Sequence, residues 1–552
     1  MKLLRLKIGE PFRCLQTGFE LHFLREWDKD SAGDFAPYIL AGPNGSGKSN
    51  VLEVLAAIFY QLECQYLTYR PDVLTPPDFS DDFSGAFVQQ QGIDAHRPNA
   101  FELEYLIPIP DRLQAGSTDR FAHIKISKTA DSSARVFWLN HPDHGEEKPL
   151  SRVDAWDLLP QFVLGYSSGE NEILSLPFFK MRFIQYDEYL DSLKNDLSYA
   201  GKPESRQTFL DNAFNQAILL GNLLFENTDT LQPFREEVGI EGLEQFRIIL
   251  KKSIEISTAQ ANDFPEGFIL VDEDTDGGKT YRLPLLHKFE PTEDPKDKTA
   301  ILDRLQRCAT CHYHDSENDT LYLDYLVTEE TREAFRNNFA SAIDLFQYLQ
   351  ILLTLNLYSV SEPLKTDLYL SDSLYVNETV PTLPSDARVM RFKDLVLKKN
   401  GISETIYAKS LSDGEHQFLH SLGLCLLYKN TNSLDSKVQR EMLITTHTPF
   451  LISDSMPEQV LVFDKSDGIV RLDRPDYNTL GASINKITMK TFGKRETIGG
   501  FAQQKMEELK ARFEKGENKE QLIDEINQSL GDSVEKVLLI KTILDSMERS
   551  ED

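Results

Sequence analysis

Gly42-Pro43-Asn44-Gly45-Ser46-Gly47-Lys48-Ser49 is the stretch on which the fold turns. It fits G-x-x-x-x-G-K-[ST] at every fixed position. Before it, Tyr38-Ile39-Leu40-Ala41 is a short apolar run that reads as a buried strand; after it, residues 50–67 read as a helix. Strand, glycine loop and helix form the setting in which this pattern holds phosphate. Glycines let the backbone curl so that successive N–H groups face one anion, and the helix N-terminus adds partial positive charge. On this reading Asn44, Gly45, Ser46 and Gly47 wrap the phosphates of ATP. Lys48 reaches the β- and γ-phosphates and Ser49 holds Mg²⁺.

Around this stretch lie 552 residues, enough for two to four domains. With 59 Lys+Arg against 88 Asp+Glu the formal net charge is −29. A surface that acidic repels nucleic acid in general, so any contact with DNA or RNA needs a local basic patch or a partner. No run of about 18 apolar residues occurs, which excludes a helical membrane span at this level of reading. The opening MKLLRLKIGEPF alternates like a strand and lacks the apolar centre of a signal peptide. Five cysteines in so long a chain suit a reducing compartment, so a cytoplasmic location is expected.

Alternation predicts strands at LLRLKI and FELHFL and again at 101–107, 121–126 and 134–139. Three glutamines, Gln89, Gln90 and Gln91, fall where one could touch Mg²⁺ and water, although a polar loop run is the better explanation. Ser167-Ser168-Gly169-Glu170 reads as a helix start with a serine cap. From about 195 to 380 helical spacing dominates, at 206–225 and 328–358, around a hairpin turning at Asp276-Gly277-Gly278. Two strands around Lys399-Asn400-Gly401 then lead to Leu411-Ser412-Asp413-Gly414-Glu415-His416-Gln417 and an apolar helix. A buried strand, Leu443-Ile444-Thr445-Thr446-His447, follows, and the charged tail after 500 is helical.

GPNGSGKSN, LSDGEHQ and LITTHTP together resemble the ABC-type ATPases of the SMC, RecF and OLD group. The closer likeness is to the ATPase of the Septu anti-phage system (PtuA-like), also found beside some retrons, and it extends to GYSSGENE, TFGKRETIGG and LGDSVEKVLL. The resemblance implies an α/β fold: an ABC-type P-loop head with an antiparallel β lobe, a helical insertion and a helical C-terminal tail. The expected segments are an ATPase lobe at 1–194, a mostly helical insertion at 195–388, a lobe with signature and histidine at 389–500, and a tail at 501–552. It also implies that the signature loop of a second copy, with Ser412, Gly414 and Glu415, closes over the nucleotide. His447 would contact the γ-phosphate as the catalytic candidate. ATP and Mg²⁺ are the expected cofactors. A homodimer or higher oligomer and an HNH nuclease subunit are the expected partners, with a retron reverse transcriptase and its DNA or RNA product as a further candidate. The alternative in the same broad fold is a RecF- or SMC-like repair ATPase that binds DNA itself; a different class is a hydrolysis-dead scaffold in which ATP joins subunits.

One expected part is missing. A site of this type needs an apolar strand ending Asp-Glu after the signature helix, the Asp supporting Mg²⁺ and the Glu activating water. Only 35 residues separate Ser412 from His447. Ordinary element lengths call for about 55 to 65. Tyr428 and Lys429 stand where the carboxylates belong, and LCLLYKNTNSLD reads as the end of the helix. The literal match, Phe268-Ile269-Leu270-Val271-Asp272-Glu273, precedes the signature and sits in the hairpin. Little or no hydrolysis is therefore expected. Cys308, Cys311, His312 and His314 have zinc-like spacing but make up half of a usual site. No nuclease motif follows His447, where about 105 residues remain.

Overall fold

A computed structural model describes residues 1–24, 35–71, 98–114, 119–130, 132–167, 171–202, 205–211, 213–273, 278–290, 300–370, 380, 382–402, 404–429, 440–493 and 499–548. It is a mixed α/β chain that divides into two compact units, one of residues 1–35 and 49–441, the other of residues 36–48 and 442–552. Among the described residues no helix is long and apolar enough to cross a membrane.

In the larger unit, Lys2–Ile8 pairs antiparallel with Glu20–His22 on one side and with Phe101–Pro108 on the other. Phe121–Lys128 and Arg135–Trp138 complete a five-stranded antiparallel sheet in which every expected strand forms. Its alternation is visible in Phe101, Leu103 and Tyr105, all buried, against the more exposed Glu102 and Glu104. A second five-stranded sheet runs in the order Cys311–Asp315, Thr320–Leu326, Ile240–Lys251, Met390–Lys399, Ile406–Tyr407. One face of it, with Ile248, Leu250, Leu321, Leu323 and Met390, packs into the main apolar core together with the helices Asn215–Phe225 and Ala342–Thr354.

Several expectations are corrected here. The 195–380 stretch, read as helices around one hairpin, also supplies the strands Gln207–Leu210, Ile240–Lys251, Cys311–Asp315 and Thr320–Leu326. Ile240, Leu243 and Leu250 in IEGLEQFRIILK suit helical spacing as well as they suit a strand. Pairing on both edges, with Thr320–Leu326 and Met390–Lys399, decides the conformation. Residues 206–211 were expected in a helix; Gln207–Leu210 instead pairs parallel with Val163–Tyr166 and is wholly buried. The helix after Tyr166, Glu172–Lys194, is capped by Asn171, whose side chain accepts from the Leu174 amide at 3.1 Å. Residues 168–170 of the expected serine cap lie outside the described residues, as do Gln89, Gln90 and Gln91.

The smaller unit is built on a four-stranded sheet in the order Leu443–Thr445, Tyr38–Ala41, Val460–Ser466, Ile469–Asp473. The first three strands are parallel. Tyr38–Ala41 is central and buried at all four residues, which is why it reads as a continuous apolar run. Ile39 and Ala41 pack with Ile452, Val460 and Ile487. Three tail helices, Gly500–Glu514, Lys519–Ser529 and Val534–Glu548, share a separate small core of Leu509, Leu522, Ile526 and Ile543.

Candidate nucleotide site

The loop after Ala41 leaves the carboxyl end of the central parallel strand. Gly42 there has φ +138°, and a Cβ built on it would lie 2.1 Å from the backbone oxygen of Phe463 in the neighbouring strand. Only glycine fits that approach. Gly45 (φ +75°) and Gly47 (φ +99°) complete the curl, and the Ser46 amide donates to the Pro43 carbonyl at 3.4 Å. Asn44 and Gly45 form the exposed tip, whereas Ser46, Gly47 and Lys48 are buried.

Lys48 opens the helix Lys48–Tyr66 and is only 5% exposed. Its Nζ donates to the Gly42 carbonyl at 2.9 Å and the Pro43 carbonyl at 2.7 Å, with Ser46 Oγ at 3.5 Å. Burial lowers its pKa. The ammonium thus lies against its own loop, a buried cation whose partners are neutral carbonyls. The helix has no acidic residue in its first turn, so its N-terminal charge meets no carboxylate from that turn. Ser49 is exposed at the helix start. A buried cation, a curled loop with no room for a Cβ at Gly42 and an acid-free helix start fit the phosphates of ATP, with Ser49 available to a divalent cation.

The strand Leu443–Thr445 aligns with Tyr38–Ala41 so that Thr445 lies opposite Leu40, and the Thr446 amide donates to the Leu40 carbonyl at 3.1 Å. His447 therefore leaves its strand at the same sheet edge as the glycine loop. It is exposed, with its ring 6.5 Å from that of Phe492. Thr446 is buried, and its Oγ1 accepts from the Thr448 amide at 3.0 Å. In open α/β sheets ligands bind outside the carboxyl ends of the strands, the edge that carries both the loop and the histidine here.

The LSDGE segment begins the helix Asp413–Leu427 as a closed capping box. Ser412 Oγ accepts from the Glu415 amide at 3.4 Å, and Glu415 Oε2 accepts from the Ser412 amide at 2.8 Å and its hydroxyl at 2.9 Å. Lys399 pairs with the other Glu415 oxygen. Hydrogen bonding from Lys399 first, and from the Ser412 amide next, pulls the Glu415 carboxyl down to about 2. Ser412, Asp413 and Gly414 are exposed, and nothing lies within 4 Å of a Cβ placed on Gly414.

The helix ends at Leu427 with Tyr428 as its cap, as read from the sequence; residues 430–439 lie outside the described residues. The literal Asp-Glu match is no part of the loop's sheet. Leu270–Glu273 forms an antiparallel edge strand against Lys279–Leu283, with Asp272 paired to Arg282. Cys308 is buried at a helix end, its thiol pushed up to about 12 by burial. Cys311, His312 and His314 alternate along an exposed strand. Among the described residues no group of three or more His, Cys, Asp or Glu is placed to hold a metal.

Sequence reasoning missed Arg13, Asn50 and Glu53. Arg13 (φ +52°) pairs through Nε with the buried Glu53 at 2.9 Å, and Asn50 Nδ2 donates to the same carboxylate at 2.8 Å. Burial raises the Glu53 pKa, opposed by Asn50 and Arg13. These contacts fix the first turn of the helix directly after Ser49. Glu53 one turn beyond Ser49 was a readable signal; Arg13, some 40 residues earlier, was not.

No family model and no curated protein matches the chain. Among solved structures, the Smc head domain with an extended coiled coil bound to the C-terminal domain of ScpA from Pyrococcus furiosus is similar at 12% identity, covering 88% of this chain and 98% of that one, with a TM-score of 0.28. The Smc head with a coiled coil and joint from Pyrococcus yayanosii is similar at 13% identity, covering 86% of this chain and 96% of that one, with a TM-score of 0.26. At such TM-scores the reading rests on the chain's own geometry.

Proposed function

We propose that the chain is an ATP-binding, ABC-type ATPase subunit of the SMC-like kind, and that it acts as a nucleotide-dependent dimer controlling a partner HNH nuclease in anti-phage defence. The observation that carries the nucleotide reading is the shared sheet edge, where a glycine loop with a buried, carbonyl-bound Lys48 ends one parallel strand and His447 ends the next. In this reading Asn44, Gly45, Ser46, Gly47 and Lys48 hold the triphosphate and Ser49 holds Mg²⁺. A second copy brings Ser412, Gly414 and Glu415 to the γ-phosphate side, which ties nucleotide binding to closure of a two-fold dimer. Mg²⁺ would neutralise charge between the β- and γ-oxygens. The nuclease partner and the defence role rest on the sequence resemblance.

The test is ATP binding measured by isothermal titration beside light scattering with and without ATP. Saturable binding that is lost in Lys48→Met, together with ATP-dependent doubling of mass, is the expected result. Absence of binding by the unaltered chain overturns the proposal. A phosphate-release assay is expected to show little or no turnover; robust turnover abolished by Lys48→Ala refutes that part. Co-purification with a co-expressed HNH nuclease is the expected result for the partner, and its absence overturns that part.

A further inference from the structure

The second five-stranded sheet has a solvent side whose composition the nucleotide reading does not use. Its inner side is apolar and packed, as expected of an antiparallel sheet with one covered face. Directly paired residues share a face, so the register spells out the outer side. One cross-strand row is Cys311, Asp324, Arg247, Lys393, and the next is Tyr313, Tyr322, Ile249, Arg391, in which Ile249 is buried between its neighbours. The row after holds Asp315, the buried Thr320 and Lys251.

Two tyrosines therefore lie side by side, with ring centroids 6.2 Å apart, and Tyr313 is 64% exposed. Arg247 stands 5.9 Å from the Tyr322 ring. Its charge is matched by Asp324, through bonds of 2.5 and 2.8 Å. Lys251, Arg391 and Lys393 have no ion pair among the described residues. At the far end of the rows, Arg391 and Lys393 line a cleft of about 240 Å³ with Lys409, Tyr407 and one acid, Asp394. From Tyr313 to Arg391 is three inter-strand spacings, about 14 Å, and from Tyr322 two, about 10 Å.

On a chain of net charge −29, an aromatic pair beside a run of unmatched cations is a local inversion of the overall field. A cross-strand tyrosine pair stabilises the hairpin by itself, but Tyr313 at 64% exposed also offers a ring to a flat aromatic ligand. Cations that track a backbone and rings on which bases stack are the two elements of single-strand recognition, and a duplex hides the base faces that the rings require. We propose that this face binds single-stranded nucleic acid, its bases on Tyr313 and Tyr322 and its phosphates on Lys251, Arg391, Lys393 and Lys409.

The test is fluorescence anisotropy of the full-length chain, without ATP, on labelled dT20, rU20 and a 20-base-pair duplex across a salt series. The dT20 and rU20 arms separate DNA from RNA as the source of the strand. Binding of at least one single strand at least 10-fold tighter than the duplex is expected. Arg391→Glu with Lys393→Glu should weaken it more than 10-fold and reduce the slope of log K against log salt by about 1.4, at about 0.7 per cation. Tyr313→Ala should weaken it about 5- to 10-fold, within the range of a lost stacking contact, and Tyr313→Phe should leave it unchanged. Lys541→Glu, on a tail helix, is the charge control and should change nothing. No binding by the unaltered chain, equal binding of the duplex, or full affinity in the Arg391/Lys393 variant overturns the proposal.

Discussion

Replacing Lys48 by Met separates the loop clasp seen in the structure from the phosphate contact proposed for that side chain. Without ligand, Nζ satisfies the Gly42 and Pro43 carbonyls from a position 5% exposed. Its loss removes two hydrogen bonds, each worth about 1 kcal/mol net. It also removes a buried charge whose desolvation opposes the folded state, as the lowered pKa records. These terms oppose one another, so the ligand-free chain should lose no more than about 2 kcal/mol. With ATP the balance differs. Charge-assisted bonds to a triphosphate, about 1.5–3 kcal/mol each, have no counterpart in Met, so affinity should fall about 100-fold. At ATP 100-fold above the dissociation constant, binding stabilises the unaltered unit by about 2.7 kcal/mol; at the same concentration the variant gains about 0.4 kcal/mol. For a unit of this size the first figure is a rise of roughly 5–10 °C in the unfolding midpoint, and the second about 1 °C. Differential scanning fluorimetry with and without MgATP reads both. Equal ATP-induced shifts in the two proteins would show that Lys48 is a structural clasp and nothing more.

Gly42→Ala puts a methyl group into the Phe463 carbonyl at an unfavourable φ, at a cost of at least about 1–3 kcal/mol. Nucleotide response and amide protection along Val460–Ser466 should fall together in hydrogen exchange, and unchanged protection would contradict the geometry. Ser412→Ala opens the capping box and should weaken its helix by about 1 kcal/mol. ATP-dependent dimerisation should be lost while ATP binding by the monomer persists; a monomer that no longer binds ATP would refute a role in the second copy. In the first sheet, hydrogen bonds from His123 and then Arg5 pull the Glu104 carboxyl from 4.5 down to about 2. A depressed carboxyl stabilises fully above its unfolded pKa, and the gain disappears as pH falls through the folded one. Glu104→Gln should therefore cost roughly 1–2 kcal/mol at pH 7, discounted for partial solvent screening, and nothing near pH 2. A penalty that is constant with pH in denaturant titrations would remove that explanation.

The glycine loop was legible because its parts are contiguous: the apolar Tyr38–Ala41, the loop and the helix lie within 30 residues, and each is decided by local chemistry. The start of an apolar helix after Ser412 was legible for the same reason. Long-range pairing was not. Whether Ile240–Lys251 is a strand depends on partners 70 and 150 residues later. Arg13 reaches Glu53 only once the first strands have turned. The outer face of the second sheet is the extreme case, since no window of sequence contains Tyr313, Arg247 and Arg391 together. What holds that face in place is the core beneath it. A one-residue slip of Met390–Lys399 against Ile240–Lys251 would turn Met390 and Phe392 to solvent and press Arg391 and Lys393 into the apolar core. Burying two unpaired cations costs far more than any contact the slip could gain. The apolar residues of the inner face thus set the register, and the register in turn assembles the cations and tyrosines on the other side. Substitutions on the outer face should for that reason alter ligand binding while leaving the pairing intact.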